Sequence, residues 1–459
     1  MKYLDKYQQK AIKEDGNILL IAGAGSGKTY TIINKIDYLI KNNIYKEGEI
    51  LAISFTNKSV NDVKCKIKYN IDVLTFHKLA INILKHYKIN FEIASKDYLS
   101  YITTEFFKSL NNEILINEIL NYYKCNNYKN FLSSYKFKNL IKVITTYINL
   151  FKSTNKNIND LDKSFKINKF LAKYIFIVKR IYDNELNSAQ ILDYNDLIVK
   201  ATNVLKEKYK YKYIIIDEFQ DTSFIRWMLV YKLIVLNKAK LFAVGDDYQS
   251  IYHFNGCDLN IFLNIKKFIP DIKILKLENT YRNSQELINY ATAFILKNKM
   301  QLEKNIHSEI HIKKPIRIIY YLNRKKALKK IIKKLKTKYK EILILGRNNF
   351  DIDNFLTNKN ILNNQIKYLT IHSAKGLESD VVILINLINN CYGIPSYIKN
   401  DPLIDYLNKK DDSYLYAEER RLFYVALTRT KSVVYLLTPI FNKSIFIKEL
   451  KNIIKKSAK

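Results

Sequence analysis

The chain has 459 residues, 48% of them apolar with only 10 Gly and 5 Pro, which suits roughly two to four packed domains and excludes collagen-like or linker-dominated classes. Lys and Arg outnumber Asp and Glu 77 to 43, and the formal net charge of +34 fits a polyanionic partner, most simply nucleic acid, or a compositional bias toward Lys, Ile, Asn and Tyr. Cys65, Cys125, Cys257 and Cys391 form no Cys-x-x-Cys pair, so reduced thiols are expected. Met1–Lys6 carries no apolar signal region and no apolar run reaches membrane length, so a soluble protein, cytoplasmic or nucleoid-associated and without membrane contact, is expected.

Leu4–Ala11 is polar and predicted helical. In front of a phosphate loop, the Gln8 amide has a donor and an acceptor for an adenine edge, although alone it reads as a surface residue. Ile18–Ile21 predicts a buried strand, followed by the turn Ala22-Gly23-Ala24-Gly25-Ser26-Gly27-Lys28-Thr29 and an amphipathic helix. Glycines let backbone N–H groups curl around a phosphate, and a helix N-terminus favours the same anion. Lys28 would reach the β- and γ-phosphates of ATP and the Thr29 hydroxyl would hold Mg²⁺. Ala22 stands where the simplest pattern has Gly, and the plainer reading is a Gly-rich turn before any helix.

Ile50–Phe55 and Ile71–Leu74 predict further strands, each running into a helix through Thr56-Asn57-Lys58 and Thr75-Phe76-His77. This alternation predicts an α/β fold, a parallel sheet with helices on both faces and its functional rim at the strand ends. Phe55, Thr56, Lys58 and His77 on that rim suit stacked bases and backbone phosphates, or ordinary packing and solvation. Residues 91–188 lack Gly and Pro and show helical spacing, as at Leu140, Ile141, Ile144 and Tyr147, which predicts a helical insertion. Tyr213–Ile216 then leads into Asp217-Glu218-Phe219-Gln220-Asp221. There Asp217 would hold Mg²⁺ and Glu218 would polarise a water, unless the two acids cap a helix. Leu241–Gly245 is the next strand; in its exit loop Gln249 is placed to sense a γ-phosphate, and Tyr252 and Phe254 to stack on bases.

In the second half a strand from Ile272 runs into Glu278-Asn279-Thr280-Tyr281-Arg282, with a helix from Ser284, and is read as opening a second domain. Ile316–Tyr321 and Glu341–Leu345 predict strands around a Lys-rich helix over 325–339, whose charge reads first as a solvated face. Asp380–Ile385 predicts a strand, Tyr392–Asp412 a loop, and Glu418–Arg429 a helix followed by a strand to Leu437 and a basic amphipathic helical tail to Lys459.

Taken in order, these motifs resemble the UvrD/Rep-type superfamily 1A DNA helicases from Leu4 to about Leu437. The resemblance adds His372-Ser373-Ala374-Lys375-Gly376-Leu377-Glu378 and the run from Glu419-Arg420-Arg421 to Tyr424-Val425-Ala426-Leu427-Thr428-Arg429. It implies two RecA-like P-loop domains, residues 1–90 with 189–271 and residues 272–459, with ATP between them and the insertion 91–188 in the first. It implies ATP- and Mg²⁺-dependent movement 3′→5′ along single-stranded DNA, with unwinding of tailed duplex in replication, repair or recombination, by a monomer. Tyr281 would stack on adenine, Glu378 would meet the ribose, and Arg282 and Arg429 would reach the γ-phosphate. Asn57, Thr75 and His372 join the residues expected on DNA. Tyr30 replaces a usual basic residue, His253-Phe254-Asn255 stands for Gly-Trp-Arg, and Ser379 for an aromatic. Between Gly346-Arg347-Asn348-Asn349 and Tyr368-Leu369-Thr370 about twenty residues stand where the family carries its accessory 2B domain, too few for a core, so that domain is expected to be missing. The rival readings are a translocase that strips proteins without unwinding and an ATP-gated nucleic-acid clamp.

Overall fold

The computed structural model describes residues 3–154, 156, 158–398, 401–407 and 414–457. The first strand, β1 (Ile18–Ala22), is apolar and buried throughout, as a parallel strand covered on both faces should be. Ahead of it α1 (Lys6–Lys13) opens with a capping box: Asp5 accepts from the Gln8 backbone N–H at 2.7 Å, and Gln8 Oε1 accepts from the Asp5 N–H at 3.2 Å. The alternation continues through α2 (Lys28–Lys41), β2 (Ile50–Ile53), α3 (Asn57–Lys64), β3 (Asp72–Leu74) and α4 (Phe76–His86).

The helical insertion follows. A two-stranded pair, β4 (Glu92–Ile93) and β5 (Ile191–Leu192), stands at its base. Between them run α5 (Tyr98–Lys108), α6 (Glu113–Tyr123), α7 (Tyr128–Ser133), α8 (Tyr135–Ser153), α9 (Ile158–Ile167) and α10 (Lys169–Ser188). The apolar stripe read from the sequence is its core: Leu140, Ile144 and Tyr147 of α8 are fully buried with Phe107 and Tyr174.

The chain then returns through α11 (Tyr194–Val204), β6 (Tyr213–Ile216), α12 (Phe224–Asn237), β7 (Lys240–Gly245), α13 (Leu259–Leu263) and β8 (Lys273–Leu277). These complete a six-stranded parallel sheet in the order β3-β2-β6-β7-β1-β8. Here the structure corrects the reading of the sequence. The strand expected to open a second domain at Ile272 pairs with β1, from Ile18 opposite Lys273 to Ala22 opposite Leu277, and closes the first sheet. Its exposed Lys273 and Lys276 mark an edge strand, where lysines discourage further pairing. Nothing local in Lys-Ile-Leu-Lys-Leu names the sheet it joins.

After α14 (Gln285–Ile295) come β9 (Ile316–Tyr321), α15 (Arg324–Leu335), β10 (Ile342–Gly346), α16 (Asp351–Phe355), β11 (Ile366–Thr370) and β12 (Ser379–Leu384). The chain ends through α17 (Pro402–Leu407), α18 (Ala417–Leu427), β13 (Thr430–Pro439) and α19 (Ile445–Ser457). The second parallel sheet has the order β11-β10-β12-β13-β9. Residues 347–365 between β10 and β11 carry α16 and a short turn at Lys359–Ile361. The predicted loop over 392–412 contains α17, which leaves the second sheet and buries Leu403 and Leu407 in the core of the insertion. Residues 399–400 and 408–412 of that loop, and 458–459 of the predicted tail helix, lie outside the described residues. Among the described residues no helix is long and apolar enough to cross a membrane.

Candidate functional site

The exits of β1, β6 and β7 converge on one cleft, which segments after β8 and from α18 close from the other side. The turn after β1 needs its glycines: Gly25 and Gly27 have φ of 74° and 82°, a region costly for other residues. A Cβ on Gly25 would lie 2.7 Å from Thr280 Oγ1, and one on Gly27 2.8 Å from Gln8 Nε2. Gly27 opens α2 without a side-chain cap, so the first-turn N–H groups have no capping side chain and suit an anion. Gln8 Nε2 donates to the Ser26 carbonyl at 3.2 Å, tying α1 to the turn. Opposite, Thr280 Oγ1 donates to the Ala24 carbonyl at 2.7 Å, the Tyr281 N–H to the Gly25 carbonyl at 2.9 Å, and the Tyr281 hydroxyl to Asp5 at 2.5 Å. The Tyr281 ring itself is half exposed beside the loop. Arg282 Nε donates to Glu378 Oε2 at 2.8 Å.

Lys28 Nζ lies 3.6 Å from Glu218 Oε2, which also accepts from Gln220 Nε2 at 2.6 Å. Glu218 adopts φ 51°, an uncommon conformation for a residue with a Cβ, held while its N–H donates to Asp217 Oδ1 at 2.9 Å. Burial and the adjacent Glu218 charge push the Asp217 carboxyl up. Burial acts on Glu218 in the same direction, but Lys28, Lys375 and the Gln220 amide outweigh it and keep that carboxyl ionised. Both acids feel Lys28 and Lys375, but only at Glu218 do the cations outweigh burial. Among the described residues no three His, Cys, Asp or Glu side chains cluster as a metal cage. A lone carboxylate such as Asp217 is the sparse kind of oxygen donor that Mg²⁺ takes when it keeps several waters.

Arg429, at the end of α18, is 1% exposed. Its Nη2 donates to Gln249 Oε1 at 3.0 Å and its Nε to the Val425 carbonyl at 3.0 Å. Burial and nearby Arg282 pull its guanidinium below the usual arginine range. Gln249 in turn donates from Nε2 to Asp246 Oδ2 at 2.6 Å.

The residues read as a nucleic-acid track fall in two groups. Phe55 packs against Phe76 at 5.2 Å between ring centres, under the Arg226 guanidinium at 5.5 Å, and His77 lies edge-on to Tyr194 at 5.1 Å. Thr56 and Thr75 are the N-caps of α3 and α4, accepting from the N–H groups of Ser59 and Lys78, and Asn57 is the first residue of α3. Both hydroxyl oxygens accept at these caps, so the rim carries two helix N-termini. In the second group the Tyr252 hydroxyl donates to the His372 carbonyl at 3.0 Å, and Phe254, half exposed, lies edge-on to the His372 ring at 5.5 Å. Burial, with Arg226 near one and Arg347 and Lys375 near the other, lowers both His77 and His372 to about 4, so both rings are neutral at physiological pH.

Site reasoning on the sequence passed over three cations that the fold brings in. Lys375 Nζ pairs with buried Asp221, donates to the Gln249 carbonyl at 2.7 Å and lies 4.9 Å from the centre of the Tyr252 ring. Arg421 Nε donates to the Ser250 carbonyl at 2.7 Å. Both stand inside the runs His372–Glu378 and Glu419–Arg429, which was the available signal. Lys304, paired with Asp246 and Asp247, stands in no motif.

Residues 4–270 match the family model for the UvrD/REP helicase N-terminal domain, and residues 353–439 that for the UvrD-like helicase C-terminal domain. The chain is similar to the ATP-dependent DNA helicase Rep of Buchnera aphidicola subsp. Acyrthosiphon pisum (strain APS), at 30% identity over 409 residues, 83% of this chain and 61% of that protein. It is similar to a probable DNA helicase of Mycoplasma pneumoniae, at 28% over 472 residues, 95% of this chain and 84% of that one. Against DNA helicase IV of Escherichia coli (strain K12) the identity is 27% over 500 residues, 98% of this chain and 70% of that one. The chain spans 61%, 54% and 52% of three Rep proteins from Buchnera aphidicola strains.

Proposed function

This chain belongs to the UvrD/Rep-type helicases of superfamily 1A, and we propose that it is an ATP-dependent DNA motor moving 3′→5′ on single-stranded DNA and separating tailed duplex. The observation that carries this reading is the Arg429–Gln249 bond at 3.0 Å, which ties α18 of the second sheet to the exit loop of β7 in the first. That loop continues within a few residues into Tyr252 and Phe254, so one short segment serves both the nucleotide and the nucleic-acid side.

In this reading the N–H groups of the Gly23–Gly27 turn and Lys28 bind the phosphates, Tyr281 stacks on adenine with Gln8 at its edge, and Glu378 meets the ribose. Thr29 and Asp217 hold Mg²⁺, which when bound neutralises charge on the phosphate oxygens. Glu218, kept ionised by Lys28 and Lys375, accepts the proton of the attacking water on its carboxylate. Arg282 and Arg429 stabilise charge on the transferred phosphoryl group only when the cleft is closed. Closure shifts Phe55, His77, Tyr252, Phe254 and His372 against stacked bases, which ratchets the strand.

The two motor units in this reading are the two parallel sheets, with β8 in the first. A second reading, translocation without unwinding, is favoured by the short 347–365 connection, which leaves no room there for an accessory domain to engage duplex. ATP turnover with and without single-stranded DNA tests the motor. Turnover that ignores DNA sinks it, and DNA-stimulated turnover without strand separation on a 3′-tailed duplex selects the second reading.

A further inference from the structure

Residues 298–307 leave α14 and run beneath the exit loop of β7 toward the phosphate turn. The Leu302 N–H donates to Asp247 Oδ2 at 2.8 Å, its carbonyl accepts from the Tyr248 hydroxyl at 2.6 Å, and Ile306 abuts Gly23, where an added Cβ would lie 2.7 Å from Ile306 Cδ1. In the middle of this strap stands Lys304, whose side chain is 4% exposed. Its ammonium pairs with Asp246 and, at 2.5 Å, with Asp247, both fully buried, and sits 3.6 Å from the centre of the Tyr248 ring. A buried lysine is costly unless its charge is met, and here two carboxylates and a ring face meet it. Asp246 is the shared member: one carboxylate oxygen faces Lys304 and the other accepts from Gln249 Nε2 at 2.6 Å, while Gln249 Oε1 accepts from Arg429 at 3.0 Å.

We propose that Lys304 is a positioning residue for ATP hydrolysis: by fixing Asp246 it orients the Gln249 amide, and through it the Arg429 guanidinium, toward the transferred phosphoryl group. The inference rests on the motor reading above. Gln249 has a two-fold choice of amide orientation: Arg429, a donor only, takes its oxygen, and the Asp246 carboxylate on its nitrogen fixes the same choice. Asp246 keeps that posture because its other oxygen is held by the Lys304 ammonium and, at 3.2 Å, by the Tyr248 N–H. The strap thus links the second-sheet helix α14 to the loop that carries Gln249.

The test is a double-mutant cycle on steady-state ATP turnover with single-stranded DNA, using Lys304→Met, Gln249→Ala and the pair, with melting temperature recorded for each. Lys304→Met is expected to lower kcat by about 10²-fold, the cost of a small misplacement, with KM for ATP within about twofold. In the Gln249→Ala background the same change is expected to add nothing. Unchanged kcat, a matching rise in KM, or losses that multiply in the pair would overturn the role of Lys304. Should Lys304→Met not fold, the near-isosteric Asp246→Asn enters the same cycle with the same expectation, and multiplying losses there overturn it equally. A wild-type chain that does not turn over ATP faster with DNA sinks the motor reading instead, so the two failures are told apart.

Discussion

Lys28 Nζ and Glu218 Oε2 face each other at 3.6 Å, so the cation expected on the phosphates and the acid expected on the attacking water form one ion pair. A nucleotide must draw Lys28 toward its own oxygens while Glu218 stays charged through Lys375 and Gln220. Glu218→Gln removes the competing anion. ATP should bind Glu218→Gln at least as tightly as the wild type, while turnover falls about 10²- to 10⁴-fold. Fluorescent-nucleotide titration and phosphate release read the two quantities, and weaker binding with preserved turnover would reverse the assignment.

Arg429→Ala should cut DNA-stimulated turnover by about 10³-fold or more, in the range of cationic fingers in phosphoryl transfer. Binding of ATP should change little, because in the proposed mechanism the glycine turn and Tyr281 hold the nucleotide from elsewhere. A fall in affinity equal to the fall in turnover would place Arg429 in uniform binding instead.

His77 and His372 make stability depend on pH. The unfolded rings take up protons near 6.5 and the folded ones near 4, so between those values the unfolded chain binds more protons. Stability from this source is complete above about pH 6.5 and is lost as pH falls toward 4. A His77→Phe, His372→Phe double variant should therefore show a shallower decline in melting temperature from pH 7 to pH 5. An unchanged slope would mean that the rings titrate normally in the fold.

Leu403, on α17, is fully buried in the core of the helical insertion although α17 lies in the chain between β12 and β13 of the second sheet. Leu403→Ala should destabilise that core by about 2–5 kcal/mol, the usual cost of such a cavity. Hydrogen exchange should quicken in α8 and α10 while β1 and β7 keep their protection. Equal quickening in all four would show that the insertion does not open on its own.

Much of the candidate site was legible because its chemistry is local in sequence. The phosphate turn is a continuous run from Ala22 to Thr29, and the acids Asp217 and Glu218 follow directly on four buried apolar residues. Apolar runs flanked by glycine or acid announce a parallel strand and its exit, and the strand ends of such a sheet share a rim. The helical insertion was equally plain, since its spacing repeats over many turns.

Partnership across the cleft was another matter. The sequence alone determined which strings carry the glycine turn, the paired acids and the aromatic rings, because each depends on residues that are neighbours in the chain. Only the tertiary structure decided that β8 closes the first sheet and that Lys304 reaches Asp246 across 58 positions. The reason is physical: a buried charge is stabilised by whichever opposite charge packing brings within a few ångströms, and sequence separation does not enter Coulomb's law.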